Sequence, residues 1–531
     1  MGSLTRSDLT SAIDSNRIEQ HIATLASDAF LGRKPGTMGE HKTLTYLSQR
    51  LQEYGIEPAN GDSYFQEFTI SEVVPVLPET LTIKKGDDTF DLEVKEDFVA
   101  KTSHYGRTIS VKDAEIAFVG FGITAPEYGW DDYQNIDVEG KVVMTLFSDP
   151  GLYDTTLFNG LSGTVHASIS DKQTKAKQQG AVGFLTIFQD TGPTGFNWPL
   201  VQAIATRSTY YLEGDEPNTS ESIDFGGMVS IATAKKLLKL GGQPENYIEA
   251  ALSKDFKPAN LGVTASIQVS SELRKFKTNN VIGMVKGTTK PEETIVYTAH
   301  WDHDGIAENP VNGDSILNGA IDNASGTAMV LETARIFSQL KEKPERSVLF
   351  FLTAAEEMGL LGAKYYTEDP LFPLEKTVAV INTDAAHATQ PMRIAVNVLM
   401  GHSDMDSVVL STAKEIGREI IPDPTPQIGA FHRSDHYPFV QKGIPAVWAV
   451  GGADPMRGDS AKAMQIIYDY GPNKYHQVTD EYYEGFLMGN ITLDATHNLL
   501  IGHQLATGNI WPNWVADSPY KPLRDSLLNL K

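Results

Sequence analysis

Thr294-Ile-Val-Tyr-Thr-Ala-His300-Trp-Asp302-His303 is an apolar, β-branched run that ends abruptly in His-x-Asp-His. It reads as a strand with metal-ligand chemistry at its end. Gly319-Ala-Ile-Asp322-Asn323 follows, an acidic pair before the small-residue start of a helix. Downstream, Glu356-Glu357 and Asp384 again fall just past apolar runs, at 348–353 and 378–381. Open α/β sheets hold ligands in the crevice outside the carboxyl ends of their strands, so His, Asp and Glu at several strand ends point to one site. A single Asp after a strand would read as a helix cap. The series reads as a metal site along one edge of a sheet.

Outward from this stretch, strand and helix alternate from 279 onward as a doubly wound sheet requires. Strands are expected at 281–285, 294–299, 348–353, 378–381 and 446–450. Helices are expected at 325–340, through Tyr365, and at 405–419. Upstream, apolar residues at helical spacing over 11–58 predict helices broken by a turn at Gly32-Arg-Lys-Pro-Gly36, then a strand at 64–70. From about 75 to 265 the texture changes to short β-rich pieces between Gly, Pro and Asp turns. The expected organisation is a larger domain built from 1–74 and 266–531, with a separate domain inserted at 75–265. Inside the insert, Gly120-Phe-Gly122-Ile-Thr-Ala125 loosely imitates a dinucleotide-binding loop. Pro126-Glu-Tyr-Gly129 does not continue it as a helix, so no helix dipole would meet a phosphate.

Composition removes several function classes. With 44 Lys+Arg against 68 Asp+Glu the net charge is −24, which argues against nucleic acid and anionic membranes as partners. No apolar run is long enough to predict a membrane span. The chain has no cysteine, so any metal must rest on His and carboxylates. The opening Met1-Gly-Ser-Leu-Thr-Arg is not a signal peptide. A secreted or periplasmic location is the expectation, with a leader removed ahead of Met1-Gly-Ser.

Taken in order, His300-Trp-Asp302-His303, Ala320-Ile-Asp322-Asn-Ala-Ser-Gly326, Ala355-Glu356-Glu357-Met-Gly-Leu-Leu-Gly362, Asn382-Thr-Asp384 and Tyr475-His476 resemble the motif series of the di-zinc aminopeptidases. That clan also holds glutamate carboxypeptidases and transferrin receptors. Asp131-Asp-Tyr133, Val138-Glu-Gly-Lys-Val-Val143 and 175–183 resemble the protease-associated (PA) domain that many members carry inserted. The resemblance implies the zinc exopeptidase fold, a mixed, mostly parallel α/β sheet of the phosphorylase/hydrolase-like kind. It implies two Zn2+ per chain, with Co2+ or Mn2+ as alternatives. Asp322 would bridge the ions, His300 and Asp384 would complete one, and Glu357 and His476 the other.

In the same scheme Glu356 is the general base acting on a metal-bridging water or hydroxide. Asp302 would accept a hydrogen bond from the far ring nitrogen of His300. Tyr475 stands where some relatives carry an oxyanion-stabilising hydroxyl, and Asp435 and His436 support the site without ligating. The implied substrates are peptides, cleaved at the N-terminal bond. Three alternatives stay open: a carboxypeptidase using arginines such as Arg393, Arg433 or Arg457 on a terminal carboxylate, a one-zinc glutaminyl cyclase, and a non-catalytic receptor-like protein. Asp304 departs from the leucine of many relatives and adds charge near the site. The sequence leaves the oligomeric state open.

Overall fold

The computed structural model describes residues 4–160, 164–189, 197–216, 222–426 and 429–529. The chain divides into two compact units, Met1–Thr69 with Phe276–Lys531, and Ile70–Lys275. The smaller unit extends beyond 75–265 at both ends. Its boundaries fall inside two continuous strands, Phe65–Val76 and Ala259–Val285, where no turn residue marks the change.

In the larger unit, Ala259–Val285 pairs antiparallel with Arg346–Thr353, which lies parallel beside Lys290–His300. Thr377–Asn382 and then Ala446–Pro455 extend the sheet in parallel. Met392–Asn397 runs antiparallel to Ala446–Pro455, and Glu419–Pro422 parallel to Met392–Asn397. The result is a mixed, mostly parallel α/β sheet, with Lys290–His300 between two parallel neighbours. Every residue of Arg346–Thr353 and Thr377–Asn382 is buried, which explains why these strands read as unbroken apolar runs rather than alternating ones. One element differs from expectation: the helix anticipated at 405–419 closes at Glu415. Gly417 takes a left-handed turn, and Arg418 is drawn into the core by Asp494 and Asn490, so Glu419 opens a strand.

The smaller unit is β-rich. Val142–Leu146 pairs in parallel with Thr108–Phe118 and Gly183–Phe188, and the latter in parallel with Phe225–Ser230. The glycine loop at 120–125 turns back on itself: the Asp132 carboxylate accepts from the Phe121 and Ile123 N–H groups at 3.1 and 3.0 Å. The Phe121 and Ile123 donors are satisfied internally and are not free for a phosphate. Among the described residues, no helix is long and apolar enough to cross a membrane.

Helix Gly489–Thr507 lies over the central strand at very close range. The Tyr297 hydroxyl donates to the Asn498 carbonyl at 2.9 Å, and a Cβ on Gly502 would stand 1.8 Å from that hydroxyl. Helix propensity alone favours alanine at 502 by up to about 1 kcal/mol. Overpacking against a buried tyrosine outweighs it, so Gly502→Ala is expected to cost about 1–3 kcal/mol. A lower urea midpoint checks this; a raised midpoint would show that the helix does not rest on Tyr297.

Candidate metal centre

Three adjacent parallel strands bring their C-terminal ends to one place. His300 ends Lys290–His300, Glu356 and Glu357 follow Arg346–Thr353 through a short turn, and Asp384 follows Thr377–Asn382. Asp322 comes from the Ala320–Ser325 segment before helix Gly326–Ser338, and His476 from just beyond helix Ser460–Asn473. The donor atoms form two groups that share Asp322: His300 with Asp322 and Asp384, and His303 with Asp322, Glu357 and His476. His300 Nε2 lies 3.2 Å from Asp322 Oδ1 and 3.4 Å from Asp384 Oδ1. His476 Nε2 lies 3.4 Å from Asp322 Oδ2 and 3.0 Å from Glu357 Oε2. Asp322 therefore turns one oxygen to each group. Glu356 belongs to neither of these two, but its donor atom lies with those of His300 and Glu357 in a third close group.

The donor set fits a divalent cation. His476 Nε2 and His303 Nε2 are buried and make no hydrogen bond. The Asp322 and Glu357 carboxylates converge on His476 Nε2. Imidazole and carboxylate without sulfur suit zinc, cobalt or manganese. The titration behaviour of the ion-free protein agrees. Burial works against a charged His476, but Asp322 and Glu357 overcome it and push the imidazole up to about 10. His300 is likewise held well above its ordinary value, with Glu356, Asp384 and Asp322 outweighing burial. Glu356 is pushed well above the carboxylate range, by burial first and then by Glu357, Asp384 and Asp435, with His300 opposing.

The anticipated bond from His300 to the Asp302 carboxylate is not formed. The closest approach is 3.9 Å, and His300 Nδ1 instead faces the Asp302 backbone carbonyl at 3.2 Å. The buried Asp302 carboxylate is held by other donors, the Glu356 and Glu357 backbone N–H groups at 3.1 and 3.4 Å. The outcome for His300 is the same tautomer, with Nδ1–H donating and Nε2 free. Asp302 instead positions the two-glutamate turn. Tyr475 stacks on His476 at 3.9 Å between ring centres and lines a groove with Glu356 and Glu357.

Several residues around the centre escaped the sequence reading. His303 Nδ1 pairs with Glu357 Oε1 at 2.7 Å. Ser434, not its motif neighbours, touches an expected ligand: its hydroxyl donates to Asp384 Oδ2 at 2.6 Å and accepts from Asn382 Nδ2 at 2.8 Å. Asp435 accepts from Thr353 Oγ1 and His436 meets the Phe431 carbonyl, so both stay outside the donor groups. The Asp480 carboxylate accepts from the Ile321 and Asp322 N–H groups, fixing the segment that carries Asp322. Asp304 faces His476 Nδ1 at 3.6 Å, too far for a direct hydrogen bond. Ala355, Ala385 and His476 all take positive φ without being glycine. Strained backbone of this kind persists where the surroundings over-determine it.

Arg33 is the largest omission. In the sequence it is part of a pattern-breaking turn; in the fold it is fully buried with φ of 53°. Its guanidinium donates to the Trp301 carbonyl at 2.9 Å, to Leu25 and Asn318 at 2.8 and 2.6 Å, and to Gly319 at 3.0 Å. It thereby ties the His300 strand end to the loop that carries Asp322. Gly319 belongs to that clamp, because a Cβ there would meet the Asp322 carbonyl at 2.0 Å. Burial pulls Arg33 down to about 10, while Asp302, Asp322, Asp480 and Glu357 favour its charge.

Comparison with known proteins agrees with this geometry. Residues 280–487, the segment holding most of the cluster, match peptidase family M28. Among curated relatives, aminopeptidase NAALADL1 of Mus musculus is 35% identical over 164 residues, 30% of this chain and 20% of that protein. The glutamate carboxypeptidase 2 homolog of Caenorhabditis elegans is 24% identical over 394 residues, 64% of this chain and 46% of that protein. The chain thus spans less than half the length of these relatives. An aminopeptidase from Aneurinibacillus sp. strain AM-1 shares the fold, with a TM-score of 0.58 at 18% identity over 96% of this chain and 97% of that one.

Arg33→Lys keeps a charge but replaces the guanidinium fork with a single nitrogen. Zinc affinity, read by competition with a chromophoric chelator, is expected to fall about 10- to 100-fold while far-UV circular dichroism is retained. Unchanged affinity in a folded variant would show that Arg33 does not set the spacing of the donors.

Proposed function

We propose that this chain is a zinc aminopeptidase that holds two ions through His300, Asp322, Glu357, Asp384 and His476. The observation that carries the reading is Asp322, which turns one oxygen to each of two donor groups while Glu356 stands beside both and belongs to neither. Bound zinc would supply Lewis acidity, polarising a carbonyl and lowering the pKa of water. Glu356 would take the proton of the attacking water and deliver it to the leaving amine, a task for which its position beside His300 and Glu357 suits it. Tyr475, at the groove wall, is placed to donate to the oxyanion. Ser434 and Asp480 keep Asp384 and Asp322 oriented during this exchange.

The acidic character of the centre favours a substrate that presents a cationic N-terminus, and with it aminopeptidase over carboxypeptidase. Arg393 is engaged by Asp454 and Glu419, which removes it as a terminal-carboxylate clamp. We read the Ile70–Lys275 unit as the inserted protease-associated domain.

The test is hydrolysis of one leucyl peptide by zinc-loaded protein, offered with a free amine and again acetylated. Only the free form is expected to be cleaved, and Glu356→Gln should lower kcat about 10²- to 10⁴-fold with zinc still bound. Equal cleavage of both forms would replace the aminopeptidase reading with a carboxypeptidase or amidohydrolase.

A further inference from the structure

The groove beside the centre has a volume of about 530 Å³. Glu356, Glu357, Tyr475 and His476 line it together with two cations, Arg433 and Lys364. Cations here stand out in a chain with 68 acidic and 44 basic residues. Among the described residues, no carboxylate pairs with the exposed Arg433 guanidinium. Its backbone is nonetheless well anchored. Arg433 N–H donates to the Ala430 carbonyl at 3.1 Å, and the next residue is the buried Ser434 that holds Asp384. The charge also acts on the Tyr475 phenol, opposing the upward push of burial. An exposed guanidinium on an anchored backbone therefore lines the same groove as the proposed base.

We propose that Arg433 is a specificity residue that binds a carboxylate of the substrate. The proposal rests on the peptidase reading above and names the substrate class for that site. Unmodified peptides bear negative charge as carboxylates, at acidic side chains and at the C-terminus, and the C-terminus comes near the scissile bond only when the peptide is short. A guanidinium fork matches a carboxylate with two parallel N–H···O bonds. The net charge of −24 repels anionic substrates at long range, so a local cation in the groove is what seats them.

The experiment compares Leu-Leu with its C-terminal amide, and Leu-Glu-amide with Leu-Gln-amide, on zinc-loaded wild type, Arg433→Met, Arg433→Gln and Arg433→Lys. The wild type is expected to favour the carboxylate member of at least one pair by about 10- to 100-fold in kcat/KM. Preference within the first pair assigns the C-terminal carboxylate; preference within the second assigns the side chain. The ratio should collapse towards unity in both neutral variants and be kept only in part by lysine, which retains the charge without the fork. Each ratio is taken within one protein, so partial loss of folded enzyme does not alter it. No preference in the wild type, or the same preference in the neutral variants, overturns the proposal. Failure of the wild type to cleave all four peptides removes the peptidase reading and this proposal with it.

Discussion

Negative charge packed out of water is the constraint around which the larger unit is built. Asp302, Asp322, Asp384, Asp435 and Asp480 are all buried near the ends of the central strands, with Glu356 and Glu357 among them. Two like charges about 4 Å apart repel by roughly 4 kcal/mol at an effective dielectric constant near 20, so such a set cannot ionise together without compensation. The fold answers in three ways. Backbone N–H groups are aimed at Asp302 and Asp480. The Arg33 guanidinium is buried beside the cluster and, among the described residues, donates to backbone carbonyls rather than to a carboxylate. The surrounding carboxylates hold the imidazoles of His300 and His476 above their ordinary pKa, against the effect of burial.

Adjacent glutamates of one turn lie in different electrostatic surroundings. Glu357 is pulled down to about 2, the pairing with His303 and His476 outweighing burial and Asp322, whereas Glu356 is pushed up. Neighbouring side chains of one type thus shift in opposite directions because the turn sends them to different surroundings. Environments that drive paired carboxylates apart mark an acid–base site.

Much of this was legible in the chain. Residues that end a strand are positioned by local sequence, so His300, Glu356, Glu357 and Asp384 could be placed on one sheet edge from apolar runs alone. What stayed hidden depends on chain segments that meet only in the fold. Arg33 meets Trp301 across 268 residues, and nothing in Gly32-Arg-Lys-Pro-Gly36 records that contact. Ser434 was overlooked beside its more conspicuous neighbours, because an acidic residue and a histidine draw attention as ligands and a serine does not. The Asp302 expectation failed for a related reason: sequence proximity to His300 suggested a partner, but two unpaired N–H groups 54 and 55 residues away compete better for the carboxylate. The bounds of the inserted unit were misjudged where strands run through them without a turn.

The central claim is that Asp322 is shared by two ions. It is tested most directly by counting zinc per chain in native mass spectra of the wild type, Asp322→Asn and Asp384→Asn. Two ions in the wild type, one in Asp384→Asn and loss of both in Asp322→Asn is the result this account predicts. A single ion in the wild type, or an Asp322→Asn variant that loses only one, would contradict it.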